Sequence, residues 1–145
     1  QEQFKSRYCS CGNYDRVIAR CTFHGWLDYS ELENLYKKMH FLVLARKCNE
    51  ITMANFPSKI PELMAYGVVP LCTAVGDYTK YYLKNDYNSL IAAENDIDTF
   101  YTCLEKAKNL DMEDFTIMSR NARKTVEEKF DYSVWSKKIT DFIVK

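Results

Sequence analysis

Apolar positions along this chain fall into two spacings. Residues 41–45 (Phe-Leu-Val-Leu-Ala) and 68–73 are short unbroken apolar runs. Such runs suit strands buried on both faces. Helical spacing fills most of the rest. Leu32, Leu35 and Met39 share one face of a helix that opens at Asp28 or Ser30. Residues 59–66 predict a helix. Ser58 stands ready to accept a free backbone N–H at its start, and Gly67 stops it. Residues 74–77 form a turn, and a short helix follows over 78–84. Residues 89–91 form a short edge or inner strand. Asp96 opens a long helix through residue 107, with Ile97, Phe100 and Leu104 at helical spacing. Residues 111–128 and 133–144 are further helices, the last carrying Trp135, Ile139, Phe142 and Ile143. Nearer the N-terminus, residues 4–9 read as a strand of modest quality, 14–20 are ambiguous, and 22–24 read as a second short strand.

Strands alternating with helices predict an α/β fold with a doubly wound, mostly parallel, Rossmann-like sheet. Residues 41–45 and 69–73 are expected as neighbours near its centre. The 145 residues are read as one domain, 1–145. Ligands of such sheets bind beyond the carboxyl ends of the strands. The segment 46–57 and the Gly76 turn both follow strands, so both are expected on that edge. The 46–57 connection is also longer than most βα loops, as functional loops often are.

Composition narrows the classes. A formal net charge of zero argues against strong attraction to nucleic acid or anionic lipid. No apolar run reaches bilayer length, and the N-terminus shows no signal-peptide pattern. The six cysteines, Cys9, Cys11, Cys21, Cys48, Cys72 and Cys103, include no Cys-x-x-Cys pair and read as reduced thiols of a cytosolic protein. Cys9-Ser10-Cys11 is too close for tetrahedral zinc without other ligands. Cys72 and Cys103 lie in apolar runs, where cysteine acts as a small hydrophobe. A dehydrogenase is disfavoured, because no Gly-x-Gly-x-x-Gly follows a strand.

The chemistry concentrates in residues 55–91. A loop feeds a helix, and Glu62 lies one turn in. Exposed N–H groups suit phosphate, and an ionised carboxylate accepts two bonds from a vicinal diol. Asn55-Phe56-Pro57-Ser58-Lys59-Ile60-Pro61-Glu62-Leu63-Met64-Ala65-Tyr66-Gly67, then Pro70, Gly76-Asp77 and Asn88-Ser89-Leu90-Ile91, resemble the donor-binding segment of retaining glycosyltransferases with the GT-B fold. These form the group 1 or family 4 class. Thr22-Phe23-His24-Gly25, Glu31-Leu32 with Leu35-Tyr36, and Phe130-Asp131-Tyr132-Ser133-Val134-Trp135 extend the likeness over about residues 4–145.

The resemblance implies roles residue by residue. Glu62 would bind the nucleotide ribose. Ser58 and Lys59 would face the donor phosphates, and Arg46 could pair with phosphate. Asn55 and Phe56 belong to the same segment, with Ala54 standing where the family carries an acid that contacts the sugar. Asn55, or Glu50 folded back, could replace that acid. Gly25 would lie near the base and let the backbone approach it, and Trp26 would either stack on that base or, as the favoured reading, pack in the core. Tyr78, Tyr81 and Tyr82 are read as packing groups.

The implied activity is transfer of a sugar from a nucleotide-sugar to a hydroxyl acceptor, a glycan or lipid-linked glycan. No metal or cofactor is implied beyond that donor substrate. The expected partners are the nucleotide-sugar and an N-terminal acceptor-binding domain, with no nucleic acid. The full enzyme is expected to be cytoplasmic, with peripheral membrane contact. The family's first strand and its diphosphate clamp find no match before Phe4, so the chain is expected to be a fragment that does not transfer sugar alone. Two alternatives stay open: a non-catalytic or degenerate nucleotide-sugar-binding module, and half of a nucleotide-sugar epimerase.

Overall fold

The computed structural model describes residues 2–10 and 12–144, so Cys11 lies outside the described residues. The chain forms two compact units, Gln1–Glu33 and Asn34–Lys145.

In the first unit, α1 (Glu2–Tyr8) and α2 (Tyr14–Ile18) replace the strand expected over 4–9 and resolve the ambiguous stretch after it. Glu2, Gln3 and Arg7 are good helix formers, and that local preference prevails. The Phe4 ring packs edge-on to Phe23 at 5.6 Å and lies 6.3 Å from Tyr14. Residues 22–24 are irregular rather than a strand, and no ladder among the described residues includes them. Asp28 opens α3 (Tyr29–Tyr36) with a reciprocal cap. Its carboxylate accepts the Glu31 N–H at 2.8 Å, and the Glu31 carboxylate accepts the Asp28 N–H at 3.0 Å. The helix ends at Tyr36, short of the expected Met39, which is exposed.

The second unit is built on a parallel sheet of β1 (Phe41–Leu44), β2 (Val69–Thr73) and β3 (Leu90–Ala92), in the order β1-β2-β3. The expected neighbours do pair, Phe41 with Val69 through Leu44 with Cys72. Only β2 is central, however, and all five of its residues are buried. β1 is an edge strand with Val43 54% exposed, so its apolar run overstates its burial. Pro70 is accommodated inside β2 because the β3 ladder starts only at Leu71. The preceding Val69 N–H donates to the His40 carbonyl on the β1 side.

Period-two alternation divides the side chains between two cores. On one face Cys72, with Leu42, Leu44 and Ile91, meets Ile60 and Met64 of α5 (Lys59–Met64), Tyr78 of α6 (Asp77–Tyr81) and Ala122 of α8 (Met112–Lys129). On the other, Val69, Leu71 and Leu90 meet Phe100, Cys103 and Ala107 of α7 (Ile97–Asn109), with Met118 and Phe115 of α8. Helices therefore cover both faces, as a doubly wound sheet requires. The covered stripe of α7 is rotated from the expected one. Ile97 is 81% exposed, and the small Cys103 and Ala107 lie against the sheet instead. The chain then forms α9 (Tyr132–Ile143), which has no buried residue. Among the described residues, no helix is long and apolar enough to cross a membrane.

Candidate functional site

The carboxyl ends of β1 and β2 are tied together at Arg46. Its N–H donates to the Thr73 hydroxyl at 3.0 Å, and that hydroxyl donates to the Arg46 carbonyl at 2.8 Å. The expected loop then contains a further helix, α4 (Glu50–Ala54). Asn49 caps it by accepting the Thr52 N–H, and the Thr52 hydroxyl accepts the Asn49 N–H in return. This capping box uses threonine where glutamate is usual, which is why helix spacing alone did not reveal it. Glu50 lies exposed in the first turn of α4. The Gly76 turn abuts this segment. A Cβ on Gly76 would sit 3.3 Å from the Thr52 carbonyl oxygen, and its φ is +79°. The two segments expected on one edge are thus in contact there.

Asn55 ends α4, and its side-chain oxygen accepts from Arg46 Nη2 at 3.1 Å. Two of the expected site residues are thereby brought together. The second terminal guanidinium nitrogen, Nη1, and the Tyr78 hydroxyl are buried and make no bond of good geometry. Burial pushes the Tyr78 phenol up to about 12, and the adjacent Arg46 charge only partly opposes that rise. Phe56 stays 43% exposed but packs edge-on to Tyr78 at 6.4 Å and Tyr82 at 6.0 Å, with Phe130 at 5.8 Å. It anchors the segment by packing. Tyr78 is core and Tyr82 packs on Phe130, as expected, whereas Tyr81 is 60% exposed under Lys80.

The second constellation lies on α5. Ser58 makes no cap bond. It is already helical at φ −54° and ψ −23°, and the Pro57 carbonyl accepts the Ile60 N–H. The turn therefore begins one residue earlier than expected, and the Ser58 hydroxyl falls past the capping position. Gly67 ends the segment as expected, at φ +78°, with the Val68 N–H reaching back to the Leu63 carbonyl.

Glu62 is half-buried and engaged on both oxygens. Lys59 Nζ donates to Oε1 at 2.9 Å and Oε2 at 2.8 Å, and the Tyr36 hydroxyl donates to Oε1 at 3.1 Å. Lys59 Nζ also reaches the Tyr36 oxygen at 3.1 Å. The Glu62 carboxylate, and then Tyr36, hold the lysine above its ordinary pKa. Tyr36 is 7% exposed and packs edge-on to Tyr66 at 5.6 Å. Sequence reading did not assign Tyr36 to the site. A signal existed, because it lies four residues after Leu32 and so shares the inward face of α3.

Gly25 belongs to the other unit. Its φ is +67°, which favours glycine, and among the described residues no atom lies within 4 Å of the Cβ position. Trp26 is fully exposed rather than core, since nothing among the described residues covers the indole.

A sequence model of the family described as glycosyl transferases group 1 matches residues 5–125. No curated protein matches the chain.

Proposed function

Since this chain belongs to the group 1 glycosyl transferases, we propose that it is the nucleotide-sugar donor-binding domain of a retaining, GT-B-fold enzyme. The enzyme transfers sugar to a hydroxyl acceptor, a glycan or lipid-linked glycan, held by a second domain. The observation that carries this reading is Glu62 itself. It is a half-exposed carboxylate, oriented from behind by a buried tyrosine, in the segment that resembles the family's donor motif. Both of its oxygens accept from donors, as they would from the two hydroxyls of a ribose diol. Arg46 and Asn55, at the carboxyl edge of the sheet, are assigned to the phosphate and sugar end of the donor. The five described cysteines are free thiols, which supports placing the enzyme in a reducing compartment such as the cytoplasm.

The test is calorimetry of the chain with uridine, guanosine and adenosine diphosphates. One should bind, and Glu62→Ala should weaken it by about 1–3 kcal/mol, the worth of a charged hydrogen bond. Unchanged affinity in a folded Glu62→Ala variant would remove Glu62 from the site. Turnover of nucleotide-sugars by the chain with and without an added acceptor domain tests the two-domain assignment.

A further inference from the structure

We propose that Lys59 makes the Glu62 site selective for phosphorylated nucleosides, by occupying the carboxylate until a phosphate draws it away. The proposal rests on the reading of Glu62 as the ribose-binding residue and assigns its selectivity.

The geometry is specific. Lys59 Nζ straddles the carboxylate, 2.9 Å from one oxygen and 2.8 Å from the other. A vicinal diol would approach the same pair of oxygens, so ammonium and diol compete for one place. The pair is accessible, with side chains 59% and 38% exposed, and exposed ion pairs of this kind are weak. Lysine is a point charge on a flexible stem, so it can leave without disturbing the backbone. Tyr36 cannot follow it. That side chain is buried, its ring is held against Tyr66, and its hydroxyl stays on Oε1. When Lys59 departs, one lone pair of Oε1 remains engaged by Tyr36. The other oxygen and the open side of Oε1 are then free for two hydroxyl donors.

The two kinds of ligand then differ in sign. An unphosphorylated nucleoside must displace Lys59 and offers the released ammonium nothing. A nucleoside diphosphate offers it an anion of higher charge than the carboxylate it leaves. Binding of the phosphate and binding of the ribose become coupled through one side chain, and such couplings are reciprocal.

The experiment compares the best-binding diphosphate with its own nucleoside on the full chain, by calorimetry and ligand-observed NMR. The variants are Lys59→Met, which keeps the stem and removes the charge, and Tyr36→Phe. In Lys59→Met the nucleoside should bind more tightly and the diphosphate more weakly, narrowing their affinity ratio by about fivefold or more. In Tyr36→Phe both affinities should fall together with the ratio kept. If Lys59→Met weakens the diphosphate and leaves the nucleoside unchanged, Lys59 is an ordinary phosphate contact and the proposal is overturned. Equal weakening of both ligands overturns it too. These outcomes leave the Glu62 reading standing. That reading fails separately, and the proposal with it, if no diphosphate binds or if Glu62→Gln leaves diphosphate binding intact.

Discussion

Helices α7 and α9 begin alike and fare differently. Each opens on an aspartate cap: Asp96 accepts the N–H groups of Asp98 and Thr99, and Asp131 accepts that of Ser133. Each carries an apolar stripe at helical spacing. The stripe of α7 is half-buried, with Phe100, Cys103 and Ala107 packed against Val69, Leu71 and Leu90. That of α9 is open, with Phe142 82% and Ile143 73% exposed. Its Trp135 is held by an indole N–H bond to the Lys129 carbonyl at 2.8 Å, with the Lys138 ammonium 4.6 Å from the ring centroid. An amphipathic pattern therefore states which side of a helix favours cover. It does not state that a neighbour supplies it. Small residues mark the difference here: Cys103 and Ala107 let α7 lie close to the sheet.

The largest effect should come from beneath α7. Leu90→Ala removes a fully buried side chain and should destabilise the chain by about 2–5 kcal/mol. Phe142→Ala in α9 should change stability by less than about 0.5 kcal/mol. Denaturant melts of both variants decide it, and comparable losses would show that α9 is packed after all.

The sheet side is sharpened next by Gly67→Ala. A Cβ there would meet the Ser119 hydroxyl of α8 at 2.6 Å, and the position holds φ +78°. Ser119 also donates to the Gly67 carbonyl at 2.7 Å. The expected cost is about 1–3 kcal/mol, within the range for strained backbone positions. A neutral melt would mean that α8 does not sit this close.

Caps give a smaller contrast. Asp96→Ala should cost about 1 kcal/mol of global stability, the usual worth of an N-cap. Asp131→Ala should leave the global melt in place and accelerate amide exchange only within α9. Equal global effects would contradict the difference in cover.

The smallest effect is one of pH. Hydrogen bonds from the Ser133 hydroxyl and then its N–H hold the Asp131 carboxyl below its ordinary 3.8. The folded pKa is depressed, so the cap's contribution is fully present above 3.8. It is lost as pH falls through the lower folded value. Amide exchange of α9 should rise in that window while β2 amides stay protected. An Asp131 carboxyl that titrates at the ordinary value would remove the cap.

Much of the second unit is legible from local pattern. Residues 69–73 declare a strand covered on both faces, and the capped starts at Asp96 and Asp111 appear where local chemistry puts them. Gly67 reads correctly because positive φ is a local demand. The misses differ in cause. Over residues 4–9 the helix preference of Glu2, Gln3 and Arg7 prevails, whereas a strand as short as 22–24 exists only if another strand pairs with it. Trp26 has the size of a core residue, but exposure depends on what lies opposite.

The candidate site divides in the same way. Asn55, Ser58, Lys59 and Glu62 stand out from the sequence because a loop feeding a carboxylate-bearing turn is a local pattern. That Lys59 would occupy Glu62 follows partly from their three-residue spacing. That Tyr36, 26 residues earlier, would hold the same carboxylate, or that Arg46 would meet Asn55 while facing Tyr78, could not be read from spacing. Local sequence determines helix starts, stops and strand candidates, because backbone dihedrals and caps act over a few residues. Tertiary packing decided which apolar stripe was covered, which strand was central and which side chains share a charge. Those depend on surfaces brought together from distant parts of the chain.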